Sequence, residues 1–178
     1  MTPKTWAYED LVEGARIELG TKTVTAEEII DFASQFDFQP MHLDEEAGKA
    51  SILGGLSASG WHTCSMFMRL LCDSFLLDST SQGGPGIEFA KWKKPVLAGD
   101  TLTGHFTVLA RRESKTRPSL GFVTIRSQLL NQRGDLVLHR GDGLVLDGIL
   151  RLVGRDVARD HGGRRVRRGK AVPGGLVE

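Results

Sequence analysis

The sequence predicts an α+β fold in which an antiparallel sheet wraps around one long central helix. Three observations carry this. From about 58 to 77, Trp61, Cys64, Met68, Leu71, Cys72 and Phe75 fall at helical spacing, and Met66, Phe67, Leu70, Leu76 and Leu77 fill most of the remaining circumference. Strand-like runs follow at 101–113, 120–132 and 135–147, the last two joined by the turn Asn131-Gln132-Arg133-Gly134. A helix apolar nearly all round must be buried on nearly all sides, and the strands need a cover for their apolar face.

The chain's 178 residues fit one domain, expected over 1–150, with a basic C-terminal tail over 151–178. That size can bury a core without disulfides or metal. Net charge is +1, so nothing global points to nucleic acid. Cys64 and Cys72 would lie about 12 Å apart along a helix, too far for a disulfide. They read as small core residues of a reducing, cytoplasmic setting. Met1-Thr2-Pro3-Lys4 has no apolar signal core behind it. The longest apolar segment, 61–77, carries Arg69 and Asp73 and is short for a membrane span.

In order along the chain, residues 6–14 form a lead-in loop ending at Gly14, and alternation over 15–24 reads as a half-buried strand. Thr25 with Glu28 three residues later has the capping-box form. Ile29, Ile30, Phe32, Ala33 and Phe36 then predict a short amphipathic helix from about 26 to 36. Asp44 reads as the cap of another short helix ending near Ala50. Ser57 and Ser59 read as helix-start residues. Residues 79–86 read as a Ser/Gly-rich loop, 87–92 alternate, and 93–100 form a turn marked by Pro95 and Gly99-Asp100. Near 153–160 a short helix is expected, and beyond it a mobile basic tail.

Between the two short helices lies Phe36-Asp37-Phe38-Gln39-Pro40-Met41-His42-Leu43-Asp44. Pro40 cannot continue a helix and pushes Gln39 towards extended backbone. Asp37 and His42 therefore lie on a bent connector, where side chains five apart can converge. A carboxylate and an imidazole aimed at one spot can hold and deprotonate water. The same residues also fit a plain helix-to-helix turn, with Asp37 capping and His42 satisfied structurally.

This arrangement resembles the MaoC-like family of hot-dog-fold dehydratases and hydratases, which includes the (R)-specific enoyl-CoA hydratases. The resemblance covers about 8–147. The family segment commonly reads Gly-Asp-x-Asn-Pro-x-His-x-Asp, against which Asp37, Pro40, His42 and Asp44 are in register while Phe36 replaces Gly and Gln39 replaces Asn. Ala58-Ser59-Gly60-Trp61 stands where the family has Ala-His-Gly-Met at the start of the central helix. Pro95-Val96 and Gly99-Asp100 match a family turn before a long strand.

The resemblance implies an acyl-CoA hydratase/dehydratase that adds water reversibly to a trans-2-enoyl-CoA. Asp37 is then the expected base on water, with His42 orienting that water. The N–H of Gly60, at the positive end of the helix dipole, faces the thioester carbonyl. Phe36, Gln39, Trp61 and His62 are candidates for the substrate pocket. Lys91, Lys93 and Lys94 are candidates for CoA phosphates. No metal or other cofactor is implied, the substrate itself carrying coenzyme A, and a homodimer or higher homo-oligomer is expected. His62, His105 and His139 otherwise read as structural. Two other readings compete: a hot-dog thioesterase, against which Asp73 sits too far along the helix, and a non-catalytic acyl-CoA-binding protein.

Overall fold

The computed structural model describes residues 6–147, together with Val157–Arg159 and Arg165–Arg167. In chain order the elements are β1 (Arg16–Thr23), α1 (Ala26–Phe36), α2 (Glu45–Ala50), α3 (Gly60–Ser74), β2 (Ser81–Gly83), β3 (Ile87–Trp92), β4 (Thr101–Glu113), β5 (Leu120–Leu130) and β6 (Leu136–Asp147). Short 3₁₀ turns occupy Tyr8–Asp10, Pro40–His42 and Leu76–Asp78.

The long strands pair antiparallel in the order β1-β4-β5-β6, and both β2 and β3 pair with the far side of β6. Alternation puts one face of each strand against α3. Leu102, Phe106 and Val108 of β4 and Val123, Ile125 and Leu129 of β5 are buried together with Phe67 and Leu71 of α3. This is the hot-dog arrangement expected from the sequence. Among the described residues, no helix is long and apolar enough to cross a membrane.

Several local expectations need correction. The central helix runs over Gly60–Ser74, not 58–77, because the Ser59 side chain caps its start and a 3₁₀ turn follows Phe75. It is also not buried all round. Trp61 is 61% and Met68 40% exposed, and they share a stripe with exposed Ser65, Arg69 and Asp73. Ser65, Arg69 and Asp73 recur every fourth residue, so they mark a solvent-facing line that the apolar count concealed. The loop expected over 79–86 contains strand β2, held by β6. Where a short helix was expected near 153–160, Val157–Arg159 (β7) pairs antiparallel with Arg165–Arg167 (β8). The remainder of the expected basic tail lies outside the described residues.

Three local devices position the functional region. The Thr25–Glu28 capping box starts α1 and thereby fixes where the residue that follows it, Asp37, emerges. Asp44 Oδ1 accepts from Ala47 N–H at 2.8 Å and starts α2. The segment before α3 is tied to the Pro95 turn by Ala58 N–H to Val96 C=O (2.8 Å) and Ala98 N–H to Leu56 C=O (3.1 Å). These bonds place the tip of α3 beside the end of β3.

Candidate active site

Asp37 caps the C-terminus of α1 with a non-helical backbone (φ −151°, ψ 71°), and Gln39 is extended before Pro40, which opens a 3₁₀ turn. That bend swings His42 back towards Asp37. His42 Nε2 lies 3.8 Å from Asp37 Oδ2. This is too long for a direct hydrogen bond, and short enough for one oxygen atom to contact both.

His42 is buried, and its Nδ1 lies 2.7 Å from the carbonyl of Ser57. A carbonyl only accepts, so Nδ1 donates to it, and that bond turns Nε2 towards Asp37. Asp37 is held from two sides. Ser59 Oγ donates to Oδ2 at 2.6 Å and Gln39 Nε2 donates to Oδ1 at 2.7 Å. The Ser59 hydroxyl above all, then the Gln39 amide, hold the carboxyl below the usual aspartate range against a partial burial that pushes it up.

Ser59 also accepts from Trp61 N–H at 3.2 Å, so one hydroxyl caps α3 and grips the carboxylate. Next to it is Gly60, whose N–H lacks an i−4 partner inside the helix, as the first N–H groups of any helix do. Its carbonyl accepts from Trp92 Nε1 at 2.8 Å. A Cβ on Gly60 would come within 2.6 Å of Trp92 Cε2, so glycine is required by the indole as well as by anything approaching the N–H. A cleft of about 320 Å³ opens here, walled by His42, Leu53, Ala58, Gly60, Thr63 and Trp92, with Lys93 and Lys94 also lining it.

The other candidate residues are spread around this core. Phe36 is 70% exposed and packs on Phe32 at 5.0 Å. Gln39 serves Asp37. Trp61 sets its edge against Trp92 at 5.7 Å. His62 is 6% exposed and stacks on Phe32 at 4.7 Å in the seam between α1 and α3. Burial there pushes its pKa down, and its Nδ1 has no hydrogen-bond partner. Lys91 lies over the Phe89 ring, on the sheet face opposite Trp92 by alternation. Lys94 pairs with Asp135 at 2.7 Å. His105 and His139 sit on the sheet face away from α3, against Gln128 and Phe89. Asp73 pairs with Arg69 on the solvent stripe. Among the described residues, no three His, Cys, Asp or Glu side chains group to hold a metal.

Sequence reasoning missed the reach of Ser59 to Asp37 and the role of Trp92 in the cleft. A serine before a helical glycine signals a cap and nothing more, and no local pattern marks Trp92. It also missed the buried pair of Arg140 and Asp142, whose Nε–Oδ1 distance is 2.6 Å, with Ser127 Oγ donating to Asp142 Oδ2 at 2.8 Å.

Residues 12–127, well over half of the chain, match the family model described as MaoC like domain. A crystal structure of the MaoC-like dehydratase from Rhodospirillum rubrum is 44% identical, covers 80% of this chain and 97% of its own, and superposes with a TM-score of 0.74. The (R)-hydratase from A. caviae involved in PHA biosynthesis is 25% identical, with 78% and 98% coverage and a TM-score of 0.59. YdeM of Bacillus subtilis, an uncharacterised protein, is 29% identical over 110 residues, which is 62% of this chain and 77% of YdeM. With its sheet wrapped on α3 and its Asp37–His42 connector beside a glycine helix tip, the chain belongs to the MaoC-like hydratase/dehydratase family of hot-dog proteins.

Proposed function

We propose that the protein is an acyl-CoA hydratase/dehydratase, adding water reversibly to the double bond of a trans-2-enoyl-CoA. The observation that carries this is the approach of His42 Nε2 and Asp37 Oδ2 to 3.8 Å at a cleft bordered by the tip of α3. A water shared by these two atoms stands against C3 of the enoyl group, whose thioester oxygen points to the Gly60 N–H.

Both Asp37 oxygens already accept hydrogen bonds, whereas His42, with Nδ1 donating to the Ser57 carbonyl, has Nε2 as the nitrogen that takes up a proton from water. We therefore assign proton abstraction to His42, and to Asp37 the holding of water and the stabilising of the imidazolium that forms. This reverses the division expected from the sequence. As the water oxygen bonds to C3, the C2=C3 electron pair moves towards the carbonyl, giving an enolate. The proton taken up by the pair is returned to C2, so that H and OH are added in sum. Positioned acid–base groups are worth about 10²–10⁴-fold, roughly 3–5 kcal/mol of barrier. The Gly60 N–H, at the positive end of α3, supports the developing oxyanion.

A homodimer or higher homo-oligomer belongs to the same proposal. Among the described residues, β3 pairs only with β6, so its other edge is open, and Ile87, Trp92 and Trp61 leave large apolar surface around it. Lys93 and Lys94 at the cleft are proposed to meet CoA phosphates. Two free thiols, Cys64 and Cys72, support a reducing, cytoplasmic setting.

The test is loss of the conjugated absorbance of an enoyl-CoA on incubation with the protein. Asp37→Asn and His42→Ala should each lower the rate at least about a hundredfold with folding intact. Near-normal turnover by both variants, or release of free thiol without hydration, would reject the assignment.

A further inference from the structure

We propose that Trp92 closes the acyl end of the cleft and restricts the protein to short-chain 2-enoyl thioesters. This rests on the hydratase reading and goes beyond it by naming the acyl class. If the thioester carbonyl meets Gly60, the acyl group leaves that carbonyl beside the indole. The indole is pinned by its hydrogen bond to the Gly60 carbonyl (2.8 Å), by close packing on the Gly60 Cα and by the edge contact with Trp61.

The space behind it offers nothing better to a hydrocarbon. Further along α3, Arg140 lies over the Phe67 ring, 5.1 Å from its centroid. Arg140 and Asp142 are both nearly inaccessible and hold each other at 2.6 Å. An alkyl tail continuing between α3 and β6 would have to displace paired charges that water cannot then reach. The apolar wall of the cleft is therefore brief, with Leu53, Ala58, Val96 and Trp92 as its main members.

The experiment measures kcat/KM of the full-length protein on crotonyl-, hexenoyl-, octenoyl- and dodecenoyl-CoA, for the wild type, Trp92→Ala and Trp92→Phe. A pocket that accepts a growing chain gains about fourfold per buried methylene. The wild type should show no such gain and should fall by about tenfold or more towards dodecenoyl-CoA. Trp92→Ala should gain on hexenoyl- and octenoyl-CoA relative to crotonyl-CoA, and Trp92→Phe should keep the wild-type order. Because Trp92 is partly exposed, its truncation does not empty the main core, and a thermal melt checks this. Wild-type rates that rise with chain length would overturn the proposal, and so would an unchanged chain-length order in Trp92→Ala. If no enoyl-CoA is hydrated, the hydratase reading fails. Dissociation constants for the matching saturated acyl-CoAs then decide the role of Trp92 by the same chain-length order.

Discussion

Asp37 accepts hydrogen bonds from Ser59 and Gln39, and each stabilises its charged form. The carboxyl therefore stays ionised to a lower pH than an ordinary aspartate. Any limb of the pH–rate profile that reports Asp37 protonation should lie on the acid side of about pH 4. Removing the stronger donor moves the limb the other way. Ser59→Ala should shift it to higher pH and lower kcat by about ten- to a hundredfold through loss of carboxylate orientation. The same change removes the cap of α3, costing about 1 kcal/mol in stability. Ser59→Thr retains the hydroxyl and should recover both. A pH–rate profile alongside a melting curve separates the two effects, because a capping role alone would leave the acid limb in place.

At the scale of the element, α3 presents three unlike faces. One carries Leu70 and Leu71 into the core, one carries Trp61, Ser65, Arg69 and Asp73 to the outside, and a third sets Phe67 under Arg140 of the charged pair on β6. Arg140 and Asp142 follow strand alternation towards the helix, so two charges occupy positions that a period-two reading gives to apolar residues. Such a pair is tolerated because the guanidinium, the carboxylate and the Ser127 hydroxyl satisfy one another. Breaking it from one side leaves a buried cation without its partner. Asp142→Ala should destabilise the fold by about 3–5 kcal/mol, whereas Arg140→Met with Asp142→Leu together should cost much less. Denaturant unfolding of the two variants measures the difference.

At the scale of the whole molecule, the sheet of the described residues ends at β1 on one side and at β2 and β3 on the other. β1 bounds one edge, and the outer edge of β3 leaves a row of backbone donors and acceptors beside exposed Ile87. Because Trp92 ends that strand, an assembly formed along it reaches the cleft. Ile87→Lys should weaken association and raise the monomer fraction in analytical ultracentrifugation, with a fall in activity that follows the monomer fraction. A wild-type protein that sediments as a monomer at all concentrations would reject the expected oligomer.

Local chemistry determined much of this protein without reference to tertiary structure. The Thr25–Glu28 box, the break at Pro40, the Asp44 cap and the Asn131–Gly134 turn each depend on a few consecutive residues, so they were legible in the sequence. The bend carrying Asp37 and His42 was legible for the same reason. Only the packed chain decided that Ser59 would bind Asp37 across 22 residues and that Trp92 would seal Gly60 across 32. It also decided which line of α3 would face water and which charges on β6 would be buried. Those outcomes depend on how separate elements meet in space, and side-chain periodicity within one element carries no information about its neighbour.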